Sequence, residues 1–459
     1  MGKRTHHSVG YRVFDIYKSL DRSALLTILS VEAATFLLIL IFGHGIKILP
    51  ITLMLMLFTA AICIITFYLG GNKAIVLFTI ALVNLGFLAQ FVQESDEINI
   101  KKYVLFSALA LACLITAFAC YLKQEFLLEK LRFLLKELNL EFLLKGSNVV
   151  ILMVAVQYII CVVMWLLGKG TEAKISLHGI NFFEVVKVLY VFVCAALLLD
   201  NTSDKKVFGD RIHRSTALLL AHTLVLTLFF GICSELGTLL VIWIVYMIMG
   251  WIFGKDKKFY AKIIAAFIGS FLLFWVVSDR ILYPRLSNIH VPSIAAKLIS
   301  RFGVALYPEK AMSTDGYQGT MGLLAIALGG WTGNTSERYR LSANEFSLPR
   351  ANDDFLFANI VQTCGVLFGA MIIVFFLGLF RAGFHVAQEC EEDYSQRVAV
   401  GITVMIFAEA LIHIGYNLAI LPITGIPLYF CSSGFAALVT GMVLIGVLLA
   451  ISVRSRGTE

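Results

Sequence analysis

The sequence predicts an all-α polytopic membrane protein with about twelve transmembrane helices and one long extracellular loop. Three observations carry this. Of 459 residues, 59% are hydrophobic and 15% charged, whereas soluble domains carry about 25% charged residues. Apolar runs long enough to cross a bilayer recur from residue 24 to residue 453. Lys and Arg gather in alternate connections, the pattern of short cytoplasmic loops.

Spans are expected at 24–43, 46–69, 73–94, 102–122, 149–168, 181–200, 216–232, 236–254, 259–278, 355–380, 396–418 and 432–453. The basic connections are the N-terminal arm (Lys3, Arg4, Arg12, Lys18, Arg22), the 123–147 segment, and the loop holding Lys205, Lys206, Arg211 and Arg214. Lys255, Lys257 and Lys258 follow, then Arg381 and Arg397, then Arg454 and Arg456. All fall on one side, which the positive-inside rule makes the cytoplasm, with both termini. The acidic turn Glu94–Glu97 falls outside. The N-terminal arm is polar and basic for too long to be a cleaved signal peptide, so the first apolar run is expected to remain as a span.

The net charge of +7 is modest, and no nucleic-acid partner is expected. The nine Cys lie mostly inside spans, as at Cys63, Cys113, Cys161 and Cys194, with no CxxC pair. They read as small apolar packing residues. No G-x-x-x-x-G-K-[ST] loop is present, which argues against ATP-driven transport. No His cluster has zinc spacing, and His413 reads as a packing residue. Residues 124–147 place Leu127, Leu131, Leu134 and Leu138 on one helical face, the pattern of an amphipathic helix on the inner leaflet or of a partner-docking helix.

The external segment 279–354 is the one long loop, and such loops are usually functional. Its apolar patch GYQGTMGLLAIALGGWTG is expected to dip into or lie on the membrane. Its polar second half delivers the chain to Asp353 and Asp354, at the mouth of the 355–380 run. A carboxylate at that lip faces a water-filled cleft or a headgroup-level substrate, because burial in hydrocarbon is expensive. Two adjacent acids opening a helix also fit plain capping, Asp353 above all. Residue pattern alone does not say which of them is catalytic.

Two further polar sites sit at outer span ends. Glu184 and Lys187 share one helical face at a spacing of three. They are either a functional pair or a self-neutralising pair that fixes helix packing. Glu235, with Gly237 and Thr238 behind it, opens another span, where the helix dipole alone favours an acid.

Taken in order, several blocks resemble the SEDS family of cell-division, rod-shape and sporulation proteins. Leu348-Pro349-Arg350-Ala351-Asn352-Asp353-Asp354-Phe355-Leu356-Phe357-Ala358 is similar to the family's LPEAHTDFIFA. Phe182-Phe183-Glu184 with Lys187 resembles its QPSE-x-x-K, and Cys233-Ser234-Glu235-Leu236-Gly237-Thr238 its QPDLGT. Gly316-Tyr317-Gln318 with Gly329-Gly330 and Gly333 resembles its loop block. His413-Ile414-Gly415 and Leu421 to Phe430 resemble N-I-G…LPVTGIPLPF. The likeness covers about 73–453, so the expected division is residues 1–70, an arm with two extra helices, and 71–459, a ten-helix core. Arg350 stands where an acid is usual, and Asp353 replaces a threonine.

The resemblance implies a peptidoglycan glycosyltransferase in the bacterial cytoplasmic membrane that polymerises lipid II on the outer face. It places the essential aspartate on Asp354, as general base for the acceptor hydroxyl. Glu184, Lys187, Glu235, Gln318, Arg350 and Asp353 are implied as cavity or supporting residues. Lys187 or Arg350 would steady the departing pyrophosphate, as would a divalent cation (Mg or Mn), although no metal-ligand set is legible. Undecaprenyl-pyrophosphate-linked substrate, membrane lipids and a class B penicillin-binding protein, the crosslinking transpeptidase, are the implied partners. A lipid-linked-oligosaccharide flippase would explain charges inside spans equally well. So would a polymerase or ligase of another lipid-linked surface polysaccharide.

Overall fold

The computed structural model describes residues 49–93, 97–137, 146–168, 181–199, 206–207, 211–233, 235–277, 317–333, 348 and 350–456, together with residues 26, 30, 32, 33 and 37. The N-terminal arm, most of the expected span 24–43, residues 94–96 of the acidic turn and most of the external loop lie outside the described residues.

A single apolar run that crosses lipid satisfies its backbone within itself only as a helix. Fourteen helices form among the described residues: α1 (Leu49–Leu69), α2 (Lys73–Gln93), α3 (Glu97–Leu122), α4 (Gln124–Glu137), α5 (Gly146–Gly168), α6 (Phe183–Leu199), α7 (Arg214–Ile232), α8 (Leu236–Phe253), α9 (Lys257–Val277), α10 (Tyr317–Gly329), α11 (Leu356–Cys364), α12 (Val366–Glu389), α13 (Asp393–Asn417) and α14 (Phe435–Arg456). Eight of them, α3, α5, α7, α8, α9, α12, α13 and α14, are long and apolar enough to cross a membrane. The protein is a multi-pass membrane protein. A two-strand hairpin, β1 (Lys206–Val207) against β2 (Ile212–His213), precedes α7. Its His213 donates from the backbone N–H and meets Asp256 again through Nδ1, at 2.9 and 2.7 Å, which ties the hairpin to the start of α9.

The bundle is built around α13. Of its membrane stretch 83% is buried, against 6% for α9, so α13 is the axis and α9 the periphery. It packs against α6, α8, α12 and α14, while α3 lies along α14. The segment α4 exposes Phe126, Leu127, Leu128 and Leu131 beside its charges, a face open to a leaflet or to a partner, while the surroundings of Leu134 and Leu138 lie outside the described residues.

One expected span is corrected. The run 355–380 is not one helix: it is the nine-residue α11 and then α12, broken at Gly365. Hydropathy is continuous across the break. The cause is backbone geometry, since Gly365 has φ +93 and ψ 167. The bend lets the turn after α10 pair with α12, Val366 N–H donating to the Gly330 carbonyl at 2.9 Å. The chains approach so closely that a Cβ on Gly329 would lie 2.1 Å from the Val361 carbonyl oxygen. With 13 residues, α10 spans about 20 Å, too short for a hydrocarbon core of about 30 Å. It packs on α11 instead.

Gly365→Ala is expected to lower stability by at least about 2 kcal/mol, from the left-handed φ and from a Cβ placed 2.3 Å from the Trp331 carbonyl oxygen. Gly330→Ala is the control: its φ is also positive but nothing lies within 4 Å, so its cost is about 1 kcal/mol. Thermal melting in detergent reads both.

Candidate active site

The start of α11 is where the external loop, α13 and the segment before α14 meet. Arg350 adopts φ 51, a left-handed turn whose carbonyl faces the residues that follow it. That carbonyl accepts from the N–H of Asp353 and of Phe355, both at 3.1 Å. The same turn brings Arg350 Nη1 to Asp354 Oδ2 at 2.8 Å. The Arg350 side chain is 55% exposed and that of Asp354 11%, so the pair sits at a boundary between solvent and protein. The hydrogen bond and charge of Asp354 push the Arg350 guanidinium above its ordinary value.

Capping is the work of α13, not of Asp353. The first N–H groups of a helix need outside acceptors. Phe357 N–H donates to His413 Nε2 at 3.4 Å, and Ala358 N–H to Asn417 Oδ1 at 3.1 Å. The Asp353 carboxylate instead accepts from the Ser433 hydroxyl. The capping expectation fails there because a residue on a neighbouring helix can supply the acceptor.

The main chain of Asp354 is held just as firmly. Its carbonyl accepts from the Tyr416 hydroxyl at 2.6 Å and from Asn417 Nδ2 at 3.2 Å. His413 Nδ1 donates to the Ile426 carbonyl at 2.7 Å, which leaves Nε2 as the acceptor for Phe357. His413 is the satisfied buried residue that its sequence context predicts. Tyr416→Phe is expected to cost about 1 kcal/mol of stability. By loosening the seat of Asp354 it should slow turnover by about tenfold or more, read from product formation by purified protein.

Other expected residues are placed around this point. Glu235 is buried at the start of α8, where Thr238 Oγ1 donates to its Oε2 at 3.4 Å. Beside it Gly237 packs on Thr424 and Ile426, the segment that holds His413 and Tyr416. Gln318 is half-buried on α10. Gly322 of that helix lies against the Phe355 ring.

Glu184 and Lys187 occupy a different layer. Lys187 is 1% exposed and lies between two acids, Glu184 Oε1 at 2.7 Å and Glu409 Oε1. Tyr429 OH donates to Glu184 Oε2 at 2.8 Å and lies 3.4 Å from Glu409 Oε1. This enclosure keeps Lys187 from solvent, whereas Arg350 beside Asp354 is exposed. Glu409 escapes a reading by family blocks. An acid inside the apolar run 396–418 is a signal of its own, and it stands one turn before His413.

Among the described residues no group of three or more His, Cys, Asp or Glu could hold a metal ion. Asp353 and Asp354 are engaged by Ser433 and Arg350.

A model of the cell cycle protein family of FtsW, RodA and SpoVE matches residues 73–457. The chain belongs to this family. The match begins at the first residue of α2, which leaves α1 outside it. The probable peptidoglycan glycosyltransferase FtsW of Bacillus subtilis is 26% identical over 291 residues, 62% of this chain and 68% of that protein. Stage V sporulation protein E of the same organism is 34% identical over 158 residues, which are 34% of this chain and 43% of that protein. Among solved structures, a chain from a work on the structural coordination of polymerization and crosslinking by a peptidoglycan synthase complex is similar at TM-score 0.55. It is 18% identical, with 85% of this chain and 99% of that one covered. A variant of the rod shape determining protein RodA of Thermus thermophilus is similar at TM-score 0.50 and 14% identity, covering 83% and 97%. At these identities the two structures show the FtsW/RodA/SpoVE fold.

Proposed function

We propose that the chain is a peptidoglycan glycosyltransferase that joins lipid II units into glycan strands at the outer face of the membrane, with Asp354 as general base. The observation that carries this reading is the seat of Asp354. Its main chain is pinned by Tyr416 and Asn417, while its carboxylate reaches the boundary beside an exposed guanidinium. A fixed carboxylate next to an exposed cation suits a reaction that takes a proton from a neutral hydroxyl and releases a pyrophosphate.

The donor is the undecaprenyl-pyrophosphate-linked end of the growing strand, and the acceptor is the GlcNAc 4-hydroxyl of another lipid II. As the acceptor oxygen attacks the anomeric carbon, its proton passes to the Asp354 carboxylate. The bond from that carbon to the phosphate oxygen breaks with inversion, and Arg350 meets the negative charge of the departing pyrophosphate. Activation is already present in the pyrophosphate, so no nucleotide is consumed. Glu235 and Gln318 shape the surroundings, and Asp353 anchors the turn through Ser433. A class B penicillin-binding protein supplies crosslinking. The basic loops support both termini in the cytoplasm.

The test is purified protein incubated with lipid II, alone and with its transpeptidase, with products resolved by gel. A glycan ladder is expected from the protein alone or with the partner. Translocation of lipid-linked sugar in sealed vesicles without any ladder would replace this reading with a flippase.

A further inference from the structure

The buried cluster of Glu184, Lys187, Glu409 and Tyr429 carries an unbalanced charge. Its two carboxylates face one ammonium, and the side chains of all three are at most 5% exposed. The donors are also unevenly shared. Lys187 Nζ reaches Glu184 Oε1 and Glu409 Oε1, and Tyr429 OH reaches Glu184 Oε2. Glu409 Oε2 is buried with no hydrogen-bond partner among the described residues. An ionised carboxylate oxygen in that position has no donor among the described residues, and leaving it so is costly. A proton on that oxygen removes the surplus charge, and a neutral carboxyl costs far less to bury without a partner than an ionised one.

We propose that this cluster binds one proton at neutral pH, held on Glu409, and that the neutral cluster locks α6 to α13. The charged and titratable groups facing Glu409 are Glu184 and Lys187 from α6 and Tyr429 from the segment before α14. On α13 itself, His413 and Tyr416 follow at one and two turns and carry the seat of Asp354. A single helix therefore bears both the lock and the seat. Loss of the proton sets two carboxylates against each other across the α6–α13 contact and shifts that seat. Glu409 is thus a positioning residue. This second half rests on the reading of Asp354 as the base, whereas the proton itself does not.

The experiment is infrared difference spectroscopy of the full chain in lipid nanodiscs, paired with the pH profile of glycan formation. Wild-type protein should show a protonated-carboxyl band at neutral pH that shifts in D2O and fades as pH rises. Glu409→Gln should lack the band, and Asp354→Asn should keep it. In the pH profile, wild-type activity should fall on the alkaline side along with the band. Glu409→Gln has nothing to deprotonate and should lose that limb, while Glu409→Ala should be slower by about tenfold to a hundredfold. A band absent from wild type, or retained in Glu409→Gln, overturns the proposal. So does an alkaline limb that is the same in both proteins. If Glu409→Gln does not fold, the titration of the wild-type band still decides, since a cluster with no proton shows none. A polymerising Asp354→Asn protein with the band intact would refute the base assignment and leave the proton site standing.

Discussion

Asp354→Asn is expected to abolish glycan-strand formation while leaving the fold in place. Asparagine keeps the size of the side chain and still accepts from Arg350, and the bonds from Tyr416 and Asn417 go to the main-chain carbonyl. The loss should therefore be chemical. An amide cannot take the acceptor's proton, and removal of a positioned general base slows a reaction by about 10²–10⁴-fold. The melting temperature and gel-filtration profile should match wild type. A protein that loses activity by unfolding would instead show that the carboxylate braces the turn at Arg350.

Lys187→Met should be the most destabilising single change in the membrane layer. It leaves Glu184 and Glu409 buried together without their cation. Breaking a buried ion pair by removing one partner costs about 3–5 kcal/mol. The combination Glu184→Gln, Lys187→Met and Glu409→Gln should recover most of that loss, because no charge then remains to be paired. Thermal melting of the single and triple variants in the same detergent reads the difference. A Lys187→Met protein as stable as wild type would mean that water reaches the cluster.

These two predictions draw on parts of the molecule that were unequally legible in the sequence. Eight spans among the described residues were legible, because about twenty apolar residues in a row have few other uses. The Glu184–Lys187 pair was legible from a spacing of three. Its third member was not, since Glu409 lies 222 residues from Lys187 and no local period links α6 to α13. The break at Gly365 was hidden for a different reason. Hydropathy does not register a sign change in φ, and a glycine inside an apolar run looks like packing. The capping of α11 by His413 and Asn417 was hidden too, because local pattern offers Asp353 as the nearest acceptor. The position of Asp354 came from its family block and not from its chemistry.

The fold gives the family residues one mechanical frame. Thr424 and Ile426 link the Glu235 block to α13, and α13 links Glu409 to Asp354. Changes in any of these should reach turnover through the same helix.

The most direct measurement compares Asp353→Asn and Asp354→Asn side by side, as initial rates of glycan formation from lipid II at equal amounts of folded protein. Asp353 contacts Ser433 and has an anchoring role, so its variant should stay within about tenfold of wild type, while the Asp354 variant should give no strands. Strands from Asp354→Asn, or a dead Asp353→Asn beside an active Asp354→Asn, would contradict the assignment of the base.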